Sequence, residues 1–289
     1  TMAHSLITES NDEYQAFLNY AKSNKDNCVF LVDTYDTLKS GIPNAIKVAN
    51  DYLKPNGLKF KGIRIDSGDL AYLSKKTRKL LDEAGYTETG ICLSNGLNEY
   101  TIRDLKLQGA FINSLGVGDN IAASKERVGG VYKLVATIED NREIPKIKVS
   151  NDSVKTINPG HKKVYRFYDK KEGYALGDLL ALSDEVIPND KYTLIHPVET
   201  WKQKELTNYQ IRDLLVPIFK DGQLVYQTPN IEKTKAYCNN EFNTLYEEIK
   251  RIDNPHEYYV DLSDKLRNLK EELINTHRKQ IDEKVKVKK

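Results

Sequence analysis

The chain has 289 residues, of which 39% are hydrophobic and 30% are charged, the composition of a globular protein with a full core. Its 44 lysine and arginine residues nearly balance 42 aspartate and glutamate residues, and a net charge of +2 gives no indication of a nucleic-acid or membrane partner. No apolar run approaches the roughly 20 residues that span a bilayer. The three cysteines, Cys28, Cys92 and Cys238, fit no metal-binding spacing and indicate a reducing compartment, the cytoplasm.

Strand-like and helix-like segments alternate through the first 127 residues. Short apolar runs that suit buried strands lie at 28–33, 62–66, 90–94 and 110–116. Each run precedes a helical pattern, such as the apolar residues at helical spacing between Leu70 and Ala84, which Gly85 terminates. Four consecutive β-α units predict a parallel sheet with right-handed crossovers. That number of strands makes half of an eight-stranded barrel or most of a doubly wound sheet.

The sequence pattern changes after Gly129 and Gly130. Period-two alternation predicts antiparallel strands within 131–140, 143–150 and 162–169. From about residue 205 the sequence is charged, and we expect helices there, including a terminal helix that starts near Ser263. The predicted domains are therefore 1–128 for the β-α region, 129–204 for the antiparallel strands and 205–289 for a C-terminal helical extension.

Polar residues and glycines follow each of the four predicted parallel strands. They are Asp33, Thr34, Arg64, Asp66, Ser67, Gly68, Asp69, Asn95, Gly96, Gly116, Val117, Gly118 and Asp119. Because the carboxyl ends of parallel strands meet at one edge of a sheet, we expect these residues to converge on one cleft. For Arg64 and Asp66 the structural alternative is a mutual salt bridge.

Two further features are ambiguous from the residues alone. The turn at 116–120 follows a strand and opens a helix, so its backbone N–H groups could bind a phosphate, but it could equally be a tight turn. The full dinucleotide fingerprint is absent, because Ile121 occupies the third glycine position. His4 lies beside small residues, where a histidine is either structural or exposed, or serves as a nucleophile or an acid–base group.

Seven motifs, taken together and in order, resemble the C-terminal part of the nicotinate phosphoribosyltransferase family. They are TMAHS, LVDTYDT, GIRIDSGDL, LSNGLN, SLGVGDN, NPGHKKVYR and NPHEYYVDLS. The resemblance covers nearly the whole chain, and because family members are longer it implies that the chain is a fragment. It implies an α/β fold: the second half of an irregular β/α barrel of the type II phosphoribosyltransferases, then antiparallel strands of a sandwich domain and a helical C-terminus.

The resemblance also implies an activity in NAD biosynthesis. Nicotinate and phosphoribosyl pyrophosphate would give nicotinate mononucleotide and pyrophosphate, with ATP hydrolysis coupled to the reaction and Mg²⁺ as cofactor. The implied partners are these substrates and a second copy in a homodimer. The isolated fragment is expected to be inactive, because the missing part supplies other substrate contacts.

Individual roles follow from the same resemblance. His4 matches the family histidine that ATP phosphorylates, and Asp66 is expected to be catalytic. Asp66 and Asp69 can hold ribose hydroxyls or hydrated Mg²⁺, and Arg64 can pair with a phosphate or with the pyridine carboxylate. The remaining substrate-binding residues are expected to be Asp33, Thr34, Ser67, Gly68, Asn95 and Gly96, and the phosphate-binding residues Gly116, Val117, Gly118 and Asp119.

Three alternatives stay open at the level of sequence. Nicotinamide phosphoribosyltransferase shares several of the motifs. A sugar-phosphate lyase or isomerase on a barrel would also place carboxylates at strand ends, although it would need a catalytic lysine or glutamate there, and none stands out. A half barrel cannot close its own sheet, so the fragment could instead bind phosphate ligands or dimerise without catalysis.

Overall fold

The computed structural model describes residues 2–10, 12–122, 130–149, 156–197 and 199–286. The protein is mixed α/β and forms two compact units, Thr1–Pro159 with Glu272–Lys289, and Gly160–Glu271. The three domains drawn from the sequence stay a prediction, and their first boundary, at 128 and 129, lies outside the described residues.

The first unit contains a parallel sheet whose spatial order follows the chain. Its strands are β1 (Val29–Leu31), β2 (Gly62–Ile65), β3 (Gly90–Ser94) and β4 (Ser114–Gly116). Leu31 pairs with Arg64, Arg64 with Cys92, and Cys92 with Ser114, so the carboxyl ends of the strands lie at one edge. The parallel strands that the apolar runs predict are therefore present.

The first helices of the chain lie in the same unit, which also contains the end of the last helix. They are α1 (His4–Glu9), α2 (Glu13–Ser23), α3 (Ile42–Val48), α4 (Leu70–Glu83), α5 (Glu99–Leu107) and α6 (Asp119–Ala122). π-helical turns at Thr37–Gly41 and Ala49–Leu53 flank α3, and a 3₁₀ turn at Lys54–Asn56 follows. Gly41 is required where the chain passes β1, because a Cβ there would lie 1.9 Å from the carbonyl oxygen of Val32.

Aromatic side chains fill the core between the helices and the sheet. Phe30 of β1 is fully buried and stacks on Phe17 of α2 with ring centroids 4.8 Å apart, and Phe60 packs on its other side at 5.5 Å. Burying a side chain of this size stabilises the fold by about 1.5–3 kcal/mol, so this cluster fixes the position of β1 and of the residues that follow it.

An antiparallel hairpin follows, formed by β5 (Ala136–Glu139) and β6 (Arg142–Pro145). Asp140 and Asn141 connect the strands with φ of 48° and 60°, the left-handed conformation of a tight hairpin turn. The strands are shorter than the predicted segments 131–140 and 143–150, and the chain after β6 leads into the candidate site.

The second unit is built mainly from strands. They are β7 (Lys162–Asp169), β8 (Ala175–Leu182), β9 (Lys191–Ile195), β10 (Gln203–Thr207), β11 (Tyr209–Asp213), β12 (Phe219–Lys220), β13 (Gln223–Leu224) and β14 (Val260–Leu262). The main sheet has the order β11-β7-β8-β14, in which β14 is parallel to β8 and the other pairs are antiparallel. Two helices, α7 (Ile231–Asn243) and α8 (Asp264–Lys286), complete the chain.

The predicted helical character from residue 205 onward is wrong for its first part. Strands β10 to β13 occupy most of the range from 203 to 224, before α7 begins. These strands are short and carry charges on their exposed faces: Leu206 is buried between exposed Glu205 and Thr207. Such charged alternation over five residues resembles a solvated helix surface as closely as an edge strand, and tertiary pairing decides between them.

Within the part of the chain that the structure describes, the helices are too short or too polar to cross a bilayer.

Candidate active site

A cavity of about 360 Å³ lies beside the carboxyl ends of β1 and β2 in the first unit. Its lining includes His4, Leu31, Arg64, Asp66, Tyr132 and Lys148. Three of these, His4, Arg64 and Asp66, are residues that the sequence singles out, and they come from α1 and from the end of β2. The volume falls in the range of sites for small ligands.

A charged network joins β2 to β3 at this cavity. The Arg64 Nε donates a hydrogen bond to Ser94 Oγ at 2.8 Å, and its Nη2 donates to Asp66 Oδ1 at 3.1 Å. The Ser94 hydroxyl donates to the same Asp66 oxygen at 2.5 Å. The mutual salt bridge between Arg64 and Asp66 therefore forms, and it forms on the wall of a cavity, so the structural and functional interpretations of this pair are compatible.

The carboxyl of Asp66 is held in its ionised form. Burial alone would raise the pKa of Asp66, but the hydrogen bond from the Ser94 hydroxyl and the charge and hydrogen bond of Arg64 act in the opposite direction, and the pKa lies well below its ordinary value. Oδ1 is engaged with Arg64 and Ser94, while Oδ2 lies 3.8 Å from His4 Nε2. Asp66 therefore presents a fixed negative charge to the cavity at neutral pH.

Asp33 supplies a second carboxylate beside the same nitrogen of His4. Its side chain is only 2% exposed, its Oδ2 accepts a hydrogen bond from Ser67 Oγ at 2.5 Å, and its Oδ1 lies 4.0 Å from His4 Nε2. Among the described residues Oδ1 has no hydrogen-bond partner. A buried carboxylate oxygen without a donor costs free energy, so this atom is suited to receive a donor from a ligand or a cation.

His4 is the first residue of α1, and its ring is held from both sides. Nδ1 lies 3.1 Å from the Thr34 hydroxyl, and Nε2 lies 2.8 Å from Lys148 Nζ. Its side chain is 12% exposed and borders the cavity. The sequence analysis assigned no role to Lys148, which is 5% exposed. In the sequence, Lys148 stands out only as a lysine next to the apolar Ile147 in an otherwise alternating segment. Its contact with His4 is not visible there, because the two residues are 144 positions apart.

The last residues of the GIRIDSGDL motif form the start of α4. Asp69 caps this helix, because its Oδ1 accepts a hydrogen bond from the backbone N–H of Tyr72 at 2.9 Å. Gly68 has φ of 78°, which a residue with a Cβ rarely adopts. Asp69 thus has a structural role, and its role as a ligand to ribose or Mg²⁺ stays a prediction.

The turn after β3 contains a strained residue. Asn95 has φ of 120° and is followed by Gly96 with φ of 57°. The Asn120 side chain donates hydrogen bonds to the carbonyl oxygens of Gly96 and Leu97 at 3.0 and 2.8 Å, which ties this turn to the one after β4. The two predicted ligand-binding turns are therefore neighbours.

The turn after β4 remains a candidate phosphate loop without a decisive contact. A Cβ on Gly116 would lie 3.0 Å from Ser94 Cβ, whereas Gly118 has open space around the same position. Val117 packs against the core, and Asp119 begins the four-residue helix α6. Among the described residues that line the cavity, none belongs to this turn, so the phosphate role of Gly116 to Asp119 stays a prediction.

A separate group of potential metal ligands lies in the second unit. Ligand atoms of His196, Glu199 and Glu257 lie within 4.8 Å of one another. Nδ1 of His196 accepts a hydrogen bond from the Glu199 backbone N–H at 2.8 Å, so in the neutral ring the proton is on Nε2, which faces Glu257 at 3.2 Å. A histidine that binds a metal through Nε2 needs an acceptor at Nδ1, so this group fits an ion-pair network rather than a metal site.

Comparison with known proteins finds similarity to one family. Residues 161–270 match the family described as nicotinate phosphoribosyltransferase C-terminal domain. A nicotinate phosphoribosyltransferase of Bacillus subtilis (strain 168) is 46% identical over 286 residues, which cover 98% of this chain and 58% of that protein. Over nearly its whole length the chain is similar to nicotinate phosphoribosyltransferases. A nicotinate phosphoribosyltransferase of Dictyostelium discoideum is 38% identical over 279 residues, which cover 89% of this chain and 46% of that protein. The chain therefore spans about half the length of the curated relatives it matches.

A crystal structure of human nicotinic acid phosphoribosyltransferase aligns with 90% of this chain and 49% of its own, at 27% identity. The TM-score is 0.41, an overlap too loose for a comparison of the two folds.

Proposed function

We propose that the chain carries the phosphoribosyl-transfer site of a nicotinate phosphoribosyltransferase acting in NAD biosynthesis. The observation that supports this most is the convergence of His4, Arg64 and Asp66 on one cavity in a chain that is 46% identical to a nicotinate phosphoribosyltransferase. In the proposed reaction the ring nitrogen of nicotinate attacks the anomeric carbon of phosphoribosyl pyrophosphate, and pyrophosphate leaves. ATP hydrolysis is coupled to this synthesis.

Asp66 is proposed to act on the phosphoribosyl group. Breaking the anomeric bond develops positive charge on the ribose, and a fixed carboxylate stabilises that charge more than it stabilises the substrate. Arg64 and Ser94 hold the Asp66 carboxylate in place and keep it ionised, so it needs no reorganisation during the reaction.

Arg64 is proposed to bind an anionic group of a substrate. Its side chain is 27% exposed and is oriented by two hydrogen bonds, to Ser94 and to Asp66. A planar guanidinium suits either a phosphate or the carboxylate of nicotinate. Recognition of the carboxylate would distinguish nicotinate, the proposed substrate, from nicotinamide, the alternative substrate, which has an uncharged amide in its place.

Mg²⁺ is compatible with the residues at the site. The oxygens Asp66 Oδ2 and Asp33 Oδ1 face the same nitrogen of His4, and carboxylate oxygens are the ligands that Mg²⁺ prefers, often with several waters retained. Asp66 would hold the ion, through water, and Asp33 could accept hydrogen bonds from its hydration shell. When bound, Mg²⁺ would neutralise the charge of the leaving pyrophosphate.

His4 is proposed to be the residue that ATP phosphorylates. A neutral imidazole nitrogen can accept a phosphoryl group, and the resulting phosphohistidine would link ATP hydrolysis to synthesis. The ring has the required environment, since it borders the cavity and is held by Thr34 and Lys148.

The other assignments belong to the same proposal. Asp33, Thr34, Ser67, Gly68, Asp69, Asn95 and Gly96 would bind substrate, and Gly116, Val117, Gly118 and Asp119 would bind phosphate. We also propose that β1 and β4, the two edges of the parallel sheet, pair with strands of a longer protein to close an irregular β/α barrel, and that the second unit belongs to a sandwich domain. A homodimer and a cytoplasmic location complete the proposal.

The test uses a full-length protein that contains this chain, with γ-labelled ATP and nicotinate mononucleotide formation as the two readouts. We expect acid-labile, base-stable label in the wild type and none in His4→Ala, which should retain ATP-independent synthesis but lose its stimulation by ATP. His256→Ala, an exposed histidine of the second unit, is the matched control and should behave as the wild type. Equal labelling of His4→Ala would contradict the assignment of His4.

A further inference from the structure

Lys148 makes a contact that the proposed roles of the site do not include. Its Nζ lies 2.8 Å from Nε2 of His4, the nitrogen that also faces Asp33 and Asp66. We propose that Lys148 is a positioning residue that fixes the tautomer of His4, so that Nε2 carries the lone pair and Nδ1 carries the proton. The tautomer follows from the geometry, and its catalytic consequence rests on the proposed function of His4.

The hydrogen-bonding capacities of the groups around the ring select one tautomer. A lysine ammonium only donates, whereas a threonine hydroxyl both donates and accepts. Nε2 therefore accepts from Lys148, and Nδ1–H donates to Thr34 Oγ1 at 3.1 Å. The opposite tautomer would direct Nε2–H at the ammonium and would break the contact.

Two carboxylates near the His4 ring balance the charge of the Lys148 ammonium. The carboxylates of Asp33 and Asp66 lie 4.0 and 3.8 Å from the nitrogen that Lys148 contacts, so two negative charges accompany the one ammonium. Arg64 is another cation at this cavity, and it is paired with Asp66 at 3.1 Å. An ammonium that is 5% exposed requires such compensation, because an unpaired buried charge is costly.

The chain on either side of Lys148 is anchored, so the ammonium cannot easily drift from the ring. Ile147 is buried, with 2% of its surface exposed. Lys146 donates a backbone hydrogen bond to Val135 O at 2.8 Å, and its Nζ donates to Glu9 O at 3.3 Å. The segment after β6 is thus tied to β5 and to the end of α1, the helix that begins with His4.

The tautomer determines which nitrogen forms the bond to phosphorus. In the proposed step the Nε2 lone pair forms the N–P bond, and the bond from phosphorus to the bridging oxygen breaks with its electron pair on the departing nucleoside diphosphate. The ring keeps its proton on Nδ1, hydrogen-bonded to Thr34. Because Nζ occupies the position in front of Nε2, Lys148 must move aside as the phosphoryl group arrives.

A purely structural role for Lys148 would predict different behaviour. If the ammonium only neutralised Asp33 and Asp66 and made no hydrogen bond to the ring, the two carboxylates that face Nε2 would favour the Nε2–H tautomer already in the wild type. The protonation pattern of the His4 ring therefore separates the two roles, and it is measured without any substrate.

The experiment is long-range ¹H–¹⁵N correlation NMR of the 289-residue chain with labelled histidine, the His4 signals being identified by their loss in His4→Gln. At neutral pH the wild type should show a pyridine-type Nε2 and a pyrrole-type Nδ1. Lys148→Arg, which keeps a donor, should preserve this pattern, and Lys148→Met should shift it toward the Nε2–H tautomer. Lys146→Met, the matched control in the same segment, should leave it unchanged.

A wild-type spectrum with the proton on Nε2 would overturn the proposal, and this outcome does not depend on whether any variant folds. An unchanged pattern in folded Lys148→Met would overturn it as well. In the full-length protein, label transfer from γ-labelled ATP should be at least tenfold slower in Lys148→Met than in Lys146→Met. If the wild type takes up no label at all, the proposed function of His4 fails while the tautomer result stands.

Discussion

Two arginine–aspartate pairs of this chain have the same chemistry but different surroundings. Arg64 and Asp66 lie at the end of β2 on a cavity, with side chains 27% and 29% exposed. Arg166 of β7 and Asp178 of β8 face each other across the main sheet of the second unit, with side chains 19% and 10% exposed. The first pair borders a space large enough for a ligand, and the second lies within a network of protein groups.

The second pair is satisfied by its neighbours. Arg166 binds Asp178 through two parallel hydrogen bonds, at 2.8 and 2.9 Å, and a third goes to Glu241 at 3.1 Å. The Tyr258 hydroxyl donates to Asp178, and the hydrogen bonds with Asp178 raise the pKa of Arg166. By contrast, Asp66 directs Oδ2 toward His4 and the cavity. An Arg–Asp pair in a sequence therefore becomes a site only where the fold leaves one of its atoms facing open space.

The largest difference in stability should come from removing the two aspartates. Asp178→Ala leaves Arg166 partly buried without its main partner, so the free energy of unfolding should fall by about 3–5 kcal/mol. Asp66→Ala should cost about 1 kcal/mol or less, because water from the cavity can solvate Arg64. Urea denaturation of both variants measures the difference. Equal losses would show that the two pairs are equivalent and would remove the basis of the comparison.

Glu241 of α7 tests how far the satisfied network extends. Its Oε2 accepts hydrogen bonds from Arg166, Arg212 and the Tyr168 hydroxyl. Glu241→Gln should lower the free energy of unfolding by about 2 kcal/mol, because charge-assisted bonds become neutral ones. Glu232→Gln, in the exposed first turn of the same helix, is the control and should change little. A loss below about 0.5 kcal/mol for Glu241→Gln would mean that the network is a surface feature.

Ser94 tests the support of the cavity pair. Its hydroxyl joins Arg64 and Asp66, so Ser94→Ala should lower the free energy of unfolding by about 1 kcal/mol. The same change should raise the pKa of Asp66, which carbonyl-carbon NMR follows during a pH titration. Ser10→Ala, which removes an exposed hydroxyl bonded to Leu6 O, is the control. An unaltered Asp66 titration in Ser94→Ala would exclude Ser94 as the group that holds this carboxylate.

The smallest expected effects are changes in the free energy of unfolding with pH. On acidification the contribution of Asp66, in the first unit, and that of Asp261, in the second, should change with opposite sign. The folded-state pKa of Asp66 is depressed, so its ionised form stabilises the fold at any pH above the unfolded value of about 3.9, and this contribution is lost as the pH falls further. The pKa of Asp261 is raised by burial, against the charges of His196 and Arg267, and its two oxygens have no hydrogen-bond partner among the described residues. Its ionised form therefore costs stability at neutral pH, and this cost disappears as the pH falls through the raised pKa.

The difference in unfolding free energy between wild type and each variant, followed from pH 7 to pH 3, tests both signs. The advantage of the wild type over Asp66→Asn should shrink on acidification. Any advantage of Asp261→Asn over the wild type should shrink as well. The unfolding free energy of the wild type minus that of the variant should therefore fall for Asp66→Asn and rise for Asp261→Asn. A change in the same direction for both variants would contradict the opposite pKa shifts.

The sequence predicted the parallel sheet because strands such as β1 and β3 give the unbroken apolar runs that are typical of buried strands. It also predicted that polar residues at their ends meet at one edge, and Asp33 and Asp66 do face one histidine, with Arg64 paired to Asp66. These inferences depend on local patterns and on a general rule of parallel sheets.

The parts that the sequence did not reveal depend on distant contacts. Lys148 reaches His4 from 144 residues away, and no local pattern reports such a pairing. The strands β10 to β13 are too short and too charged to be separated from a solvated helix by periodicity. The role of Asp69 could not be decided from the sequence either. A residue beside a site can be a helix cap, a ligand or both, and the position of Asp69 just before α4 fits both roles.

The central claim is that the cavity at Asp66 transfers the phosphoribosyl group. The most direct measurement is nicotinate mononucleotide formation by a full-length protein with Asp66→Asn, with and without ATP, beside Asp178→Asn as a control for the same chemical change elsewhere. Asp66→Asn should be slower by roughly 100-fold or more under both conditions, since one charge stabilising a transition state is worth that much. Asp178→Asn, assayed at a temperature where it is folded, should keep a rate within several-fold of the wild type. Near-normal synthesis by Asp66→Asn would contradict the account.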